Sequence, residues 1–138
     1  MLSKKTKYGL KALSYLTKQE KNVPVLISDI SKAENISQKY LESILLTLKK
    51  SGILSSKKGK GGGYYLLKDP KEIKISTIMR VLEGPIAMLP CVSLNYYEKC
   101  DDCVNEEFCS LSILMAEVRD STLKILENKT LANFHCRE

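Results

Sequence analysis

Residues 36–67 read ISQKYLESILLTLKKSGILSSKKGKGGGYYLL and carry the strongest fold signal in the chain. Apolar residues recur at helical spacing after Ser37, whose hydroxyl can cap the first turn of a helix, and Gly52 ends that helix. Two short strand-like runs then flank a tip rich in lysine and glycine, which predicts a β-hairpin with a flexible cationic turn. A helix followed by such a hairpin is typical of a winged helix-turn-helix domain.

Two shorter helices are predicted before this stretch. Residues 6–18 place apolar side chains on one helix face, and Pro24 prevents that helix from continuing. A second helix, which Ser28 can cap, ends at residues 34–35, where a tight connection leads to the helix that begins at Ser37. This pair resembles a helix-turn-helix, so we expect the helix after Ser37 to be the recognition helix.

The predicted recognition helix and hairpin offer polar side chains that suit DNA. On the outward face of a recognition helix, Gln can pair with adenine, Glu can accept a hydrogen bond from cytosine, and Ser can contact either base. Lysines at the hairpin tip can approach phosphates or the narrow minor groove. The candidate DNA-contacting residues are therefore Gln38, Lys39, Glu42, Ser43, Lys57, Lys58 and Lys60. The open alternatives are an ordinary amphipathic helix, solvated lysines, and a winged-helix module that binds protein instead of DNA.

Charge divides the chain into a basic half and a mildly acidic half. Residues 1–70 hold 14 Lys and Arg against 5 Asp and Glu, whereas residues 71–138 hold 8 against 11. The basic half favours contact with a polyanion such as double-stranded DNA through counterion release. No long apolar run predicts a signal peptide or a membrane span, so we expect a cytoplasmic protein. With His135 as the single histidine and no visible pair of nucleophile and base, we expect neither an enzyme nor a small-molecule substrate.

Four of the five cysteines lie within nineteen residues and have the spacing C-x8-C-x2-C-x5-C. Reduced cytoplasmic thiols in such a group are more typical of a metal or redox site than of a disulfide framework. Four thiolates suit a two-iron or four-iron (2Fe-2S or 4Fe-4S) iron–sulfur cluster, and they also suit a closed tetrahedral zinc site. A thiol–disulfide switch is a further alternative, and Cys136 has no assigned role. The candidate metal ligands are Cys91, Cys100, Cys103 and Cys109.

Ser110 begins a long predicted helix with a coiled-coil-like apolar stripe. The stripe recurs at intervals of 4, 3, 4 and 3 residues, which suits packing against another helix. Packing onto the winged domain of its own chain is the alternative, but a symmetric dimer supplies the two half-sites that a small DNA reader needs on a pseudo-palindromic operator. We therefore expect a homodimer whose interface includes Leu111, Met115, Val118, Thr122 and Ile125.

The order of these elements predicts three regions in a mainly α-helical fold with a small β-hairpin wing. Residues 1–85 form a winged helix-turn-helix DNA-binding domain, whose last short helix can be capped by Ser76 and ends at Gly84. Residues 86–109 form an irregular cysteine loop. Residues 110–138 form the dimerisation helix and a C-terminal tail.

Several motifs resemble those of the Rrf-two (Rrf2) family of winged helix-turn-helix regulators, and together they cover nearly the whole chain. The matching segments are KYGLKAL at residues 7–13, ISQKYLE at 36–42, SKKGKGGGY at 56–64, EGP at 83–85 and TLA at 130–132. The resemblance implies a homodimeric transcription factor, usually a repressor, whose long C-terminal helices cross between subunits. It also implies DNA contacts from the opening and recognition helices, at Lys7, Tyr8, Ser37, Tyr40 and Glu42.

The resemblance further implies an iron–sulfur cluster in the cysteine loop, through which DNA affinity responds to redox state, iron or nitric oxide. The family's cluster regulator uses three cysteines and a histidine three residues after the last. Ser112 stands at that position here, which makes Cys100 the expected fourth ligand. Zinc is less expected, because all-cysteine zinc sites usually pair two C-x2-C motifs and the loop has one. Lys58 replaces a frequent wing arginine, so we expect weaker readout of the minor groove.

Overall fold

The computed structural model describes residues 2–134 of the 138-residue chain. Within these residues, the chain forms five α-helices and one two-stranded antiparallel hairpin. The elements are α1 (Lys4–Thr17), α2 (Ile27–Glu34), α3 (Gln38–Lys50), β1 (Leu54–Lys57), β2 (Gly63–Leu66), α4 (Ile75–Leu82) and α5 (Ser110–Glu127). This mainly helical arrangement with a small hairpin confirms the predicted fold class. His135 and Cys136 lie outside the described residues.

The helix-turn-helix forms where the sequence signals predict it, although two helices begin without the expected caps. Ser37 caps α3, since its Oγ accepts a hydrogen bond from the Tyr40 N–H at 3.2 Å. Asn35 adopts a left-handed backbone conformation with φ of 53° and turns the chain sharply from α2 into α3. Ser28 and Ser76 do not cap α2 and α4, because each helix begins at the residue before its serine, at Ile27 and at Ile75. Ser76 is instead buried inside its helix.

One hydrophobic core joins the first four helices. Its fully buried members include Leu13 from α1, Ile30 from α2, Leu45 from α3 and Ile78 from α4. Burying a side chain of this size stabilises a fold by roughly 1.5–3 kcal/mol, so the apolar face of each helix determines how the helices pack. The first and fourth helices approach closely at Gly9, where an added Cβ would lie 2.3 Å from a methyl carbon of Leu82.

The hairpin is anchored to the segment that precedes α2. Strands β1 and β2 pair in antiparallel register, with Leu54 opposite Leu66. Tyr64 of β2 also exchanges backbone hydrogen bonds with Val25 at 2.8 and 2.9 Å. Gly63 allows this close approach, because its φ is +145° and an added Cβ would lie 2.2 Å from the Val25 carbonyl oxygen. The wing therefore has a fixed direction relative to the helix-turn-helix.

The chain returns to the winged domain after α5. Leu131 is fully buried in the same core, and its N–H donates to the Ile73 carbonyl at 2.8 Å. Lys74 pairs with Thr130 in an antiparallel bridge beside this contact. Residues 129–134, which the sequence pattern groups with the C-terminal tail, thus pack against the winged domain, where burial removes the Leu131 side chain from water.

Helix α5 contacts the winged domain along one side. Leu123 is 7% exposed, and Arg80 of α4 forms an ion pair with Glu127 at 3.7 Å. These contacts position α5 beside α4 and leave its other side toward solvent. None of the helices within residues 2–134 has both the length and the apolar character needed to cross a membrane.

Candidate DNA-contact surface and cysteine cavity

The recognition helix α3 and the wing present the expected DNA-contacting side chains on the protein surface. The exposed members of that set are Lys7, Ser37, Gln38, Lys39, Tyr40, Glu42, Ser43, Lys57, Lys58 and Lys60. Tyr8 is half-buried, and its ring meets the Tyr40 ring edge-on with the ring centroids 5.7 Å apart. This contact joins α1 to the exposed first turn of α3, so Tyr8 can orient Tyr40.

A cleft of about 450 Å³ lies between the wing and the helix-turn-helix. It is lined by Ser28 of α2, by Gln38 of α3 and by Lys57 and Lys58 of the wing, among others. The cleft therefore brings residues expected to contact bases and residues expected to contact phosphates to one face of the molecule. A polar helix end beside a cationic hairpin suits a DNA groove and its flanking backbone.

Contacts around α3 define what its polar residues can offer to DNA. The Ser37 hydroxyl accepts the Tyr40 N–H, so it can still donate its own proton. The Ser43 hydroxyl donates to the Tyr40 carbonyl at 2.8 Å, so it can offer acceptor lone pairs. Burial raises the pKa of the Tyr64 phenol above its ordinary value, and the Glu42 carboxylate raises it further. The negative charge of Glu42 thus acts close to strand β2.

All four clustered cysteines line a single cavity of about 390 Å³. Each cysteine is half-buried, and none of the four forms a disulfide. Cys91 lies in a short 3₁₀ turn (Pro90–Val92), and Cys109 is the N-cap of α5. Cys100 and Cys103 lie on the irregular loop between them. The fold thus brings together the thiols that the sequence groups only by their spacing.

Two of these thiols lie near each other in the cavity. A hydrogen bond between Cys91 and Cys100 raises the pKa of the Cys100 thiol above its ordinary value, and burial and the nearby charge of Asp102 act in the same direction. The Cys103 N–H donates to the Cys100 carbonyl at 3.2 Å, which closes the turn that carries the C-x2-C pair. The cavity therefore holds Cys91 near the first cysteine of that pair.

Four thiols that line one cavity are a donor set that iron–sulfur clusters use. A zinc ion needs four ligands at about 2.0–2.3 Å from one point. Among residues 2–134, no three His, Cys, Asp or Glu side chains converge closely enough to hold one ion. Thiols that surround a larger cavity suit a cluster, in which four thiolates are distributed over two or four iron atoms. The residues that could hold it are Cys91, Cys100, Cys103 and Cys109.

Two contacts of the cysteine loop had no signal in the sequence. The Tyr97 hydroxyl donates to the Glu106 carboxylate, and this hydrogen bond raises the pKa of Tyr97 to about 12. Arg119 of α5 donates from Nη1 to the Val92 carbonyl at 2.7 Å, across 27 residues of sequence. Neither pair belongs to a periodic pattern or a motif, so only the fold brings the partners together.

Comparison with known proteins identifies the family of this chain. A sequence profile of the Rrf2 family, described as iron-dependent transcriptional regulators, matches residues 2–137. The chain belongs to the Rrf2 family. An rrf2-like helix-turn-helix transcriptional regulator of Rhodobacter capsulatus is 40% identical over 134 residues, which cover 95% of this chain and 89% of that relative.

Two solved structures match nearly the whole of this Rrf2 chain. CymR of B. subtilis, described as the global cysteine regulator, has a TM-score of 0.77 at 30% identity and covers 96% of this chain and 94% of its own. IscR of T. potens has a TM-score of 0.74 at 31% identity and covers 96% of this chain and 84% of its own. Rrf2 proteins are DNA-binding transcriptional regulators and not enzymes, as expected here from the winged helix and the charge distribution.

In this Rrf2 protein, some residues of the expected dimer stripe on α5 are exposed to solvent, and the others are half-buried on the side of the winged domain. Leu111 and Ile125 are 53% and 62% exposed, and Leu114 between them is 51% exposed. The half-buried members of the stripe are Met115, Val118 and Thr122. Val118 and Thr122 line a groove of about 510 Å³ between α5 and the end of α4. The exposed apolar side chains on this side of α5 are therefore Leu111, Leu114 and Ile125.

Proposed function

We propose that this Rrf2 protein is a homodimeric repressor whose affinity for a DNA operator is set by an iron–sulfur cluster, 2Fe-2S or 4Fe-4S, in its cysteine loop. Residues 1–85 bind DNA, residues 86–109 hold the cluster, and residues 110–138 pair two copies in the cytoplasm. The observation that carries this proposal is the cavity lined by all four clustered cysteines. The description of the family as iron-dependent regulators supports it.

DNA binding uses the face that carries the recognition helix and the wing. Gln38, Glu42 and Ser43 enter the major groove from the first turns of α3, and they read base edges through hydrogen bonds. The wing lysines meet phosphates or the minor groove. The remaining polar residues at the start of α1 and α3 fix the protein on the backbone, and they are Lys7, Tyr8, Ser37, Lys39 and Tyr40. A homodimer presents two such faces to a pseudo-palindromic operator.

The cysteine loop can influence DNA binding because it leads directly into α5. Cys109 is the N-cap of that helix, so any change in the position of its sulfur acts on the first turn. A bound cluster supplies a redox-active link among four thiolates. In that state the four cysteines would hold the loop between Cys91 and Cys109 on one path, α5 would take a defined direction, and the distance between the two recognition helices would change. Operator affinity then reports redox state, iron or nitric oxide.

A thiol–disulfide switch is the second candidate, and the presence of Cys91 and Cys100 in the same cavity favours it. Oxidation by a peroxide would join the two sulfurs in a disulfide, with two thiol protons and two electrons passing to the peroxide, which is reduced to two waters or, for an organic hydroperoxide, to an alcohol and water. The similarity to CymR, described as a global cysteine regulator, supports this candidate. A structural zinc site is less favoured, since all-cysteine zinc sites usually pair two C-x2-C motifs and the loop has one.

Anaerobic purification followed by iron, sulfide and zinc analysis and a visible spectrum distinguishes these candidates. Wild type, Cys100→Ala and Cys136→Ala are prepared in parallel, and the last removes a cysteine outside the clustered stretch. We expect iron and sulfide in wild type and in Cys136→Ala, and a lost or altered chromophore in Cys100→Ala. Stoichiometric zinc would favour the structural site. Protein without metal would favour the thiol switch.

A further inference from the structure

Arg119 holds the first part of the cysteine loop against α5. Its Nη1 donates to the Val92 carbonyl at 2.7 Å, and 16% of its side chain is exposed. The neighbouring Asp120 carboxylate accepts from Nε at 2.9 Å and contacts Nη2 at 2.8 Å. A carboxylate on that side of the planar guanidinium fixes its orientation. The contact with Asp120 therefore keeps the guanidinium of Arg119 oriented toward the Val92 carbonyl of the loop.

The contact lies where the loop passes from buried to exposed. Val92 and Ser93 are 4% and 6% exposed, whereas residues 94–99 are all exposed. Cys91 is half-buried and directly precedes Val92, whose carbonyl Arg119 contacts. Cys100 lies beyond the exposed part. Arg119 thus holds the last buried turn before the exposed residues 94–99.

We propose that Arg119 is a positioning residue that transmits the state of the cysteine loop to α5. This role rests on the proposed function, because it concerns how the cysteine cavity acts on the dimer helix. Cys109 is attached to α5 as its N-cap, and Cys91 is attached to it through Arg119 and Val92. At 1.5 Å per residue, the two attachments are about 15 Å apart along the helix.

Two attachments between the cysteine loop and α5 constrain the helix more than one attachment would. If Cys109 alone were attached, a change in the cavity could unwind or displace the first turn of α5 and leave the rest of the helix in place. With Arg119 as the second point, a change in the distance between Cys91 and Cys109 turns the whole helix relative to the loop. The direction of α5 thereby depends on whether the thiols of the cavity are joined.

Arg119→Gln removes the charged fork but keeps a polar side chain on α5. In the metal-free protein, we expect the hydrogen-bonded amides of Val92, Ser93 and Glu98 to exchange with solvent at least about tenfold faster than in wild type. Iron and sulfide content should be retained, and so should the operator affinity of the metal-free form. The ratio of operator affinities between cluster-loaded and metal-free protein should fall below about twofold, from a wild-type ratio on the order of tenfold.

Lys124→Gln is the matched control, because it replaces an exposed cation on the same helix by the same amide. It should keep both the exchange protection and the affinity ratio. Arg119→Lys keeps the positive charge but replaces the planar guanidinium by one ammonium group. It should therefore retain part of the wild-type exchange protection and part of the affinity ratio. If circular dichroism shows that Arg119→Gln does not fold, Arg119→Lys tests the role of Arg119 in its place.

The outcomes separate this role from the proposed function. A wild-type affinity ratio above about fivefold that Arg119→Gln leaves unchanged, with intact fold and iron content, overturns the role of Arg119 alone. An Arg119→Lys protein that loses exchange protection but keeps the full ratio overturns it as well. A wild-type ratio of one overturns both the role of Arg119 and the cluster-dependent regulation from which it follows.

Discussion

Glu83 joins the start of the first helix to the end of the fourth. Its carboxylate, at the C-cap of α4, accepts hydrogen bonds from the Thr6 hydroxyl and from both the N–H and the hydroxyl of Ser3. These contacts, that of Thr6 foremost, hold the pKa of Glu83 below its usual value. A negative charge at this position also interacts favourably with the N-terminal end of the α1 dipole.

Glu83→Gln is expected to lower the free energy of unfolding by about 1–2 kcal/mol at pH 7, because hydrogen bonds to a charged acceptor become weaker neutral ones. The folded-state pKa is depressed, so the stabilisation is present above the unfolded-state pKa of about 4.3 and is lost as pH falls through the folded-state pKa. Urea unfolding at decreasing pH should therefore show the two proteins converging. Glu20→Gln, an exposed carboxylate, is the control. A difference that grows toward acid would contradict this assignment.

The lysines of the wing should contact the DNA backbone and contribute less to the recognition of base sequence. Replacing Lys57, Lys58 and Lys60 together by Ala should reduce the slope of log affinity against log salt by about 0.9 for each phosphate that the variant no longer neutralises. Operator and unrelated DNA should weaken by similar factors. Fluorescence anisotropy at several salt concentrations measures both, with Lys124→Ala as a control on α5. An unchanged slope would mean that the wing lysines are only solvated.

The segment after α5 should behave as part of the winged core. Leu131 is 0% exposed, so Leu131→Ala should lower the free energy of unfolding by about 2–4 kcal/mol through reduced burial and a residual cavity. Leu46→Ala, at a leucine of α3 that is 43% exposed, should cost less than about 1 kcal/mol. Chemical denaturation of both variants measures the difference. Equal small losses would exclude Leu131 from the core.

The elements that the sequence predicts well are those with local causes. Ser37 caps α3 through a partner three residues away, and the glycines at the wing tip need no distant contact to turn the chain. Leu131 and Arg119 depend on partners far away in sequence, and neither stands in a periodic pattern. The cysteine spacing identifies which thiols gather in the cavity. It could not indicate that Cys91 lies on a turn held against α5, because that depends on the path of the loop.

At the scale of the whole molecule, the exposed apolar side of α5 should pair two copies of the chain. Ile125→Glu places a charge on that side, and we expect monomers at micromolar concentration because burying an unpaired carboxylate in an interface is costly. Operator affinity should fall by at least about tenfold, since the two half-sites are then bound separately. Lys124→Glu places the same side chain one position away and should remain dimeric. Sedimentation velocity measures this, and a dimeric Ile125→Glu protein would place the interface elsewhere.

Operator affinity of cluster-loaded and metal-free protein tests most directly whether the cysteine cavity controls DNA binding. One anaerobic preparation is divided, one portion is stripped with a chelator, and both are titrated at a single salt concentration against DNA selected by the purified protein from a random-sequence pool. We predict affinities that differ by at least about fivefold between the two portions. Equal affinities would contradict regulation through the cavity and leave a DNA-binding protein whose cysteines serve another purpose.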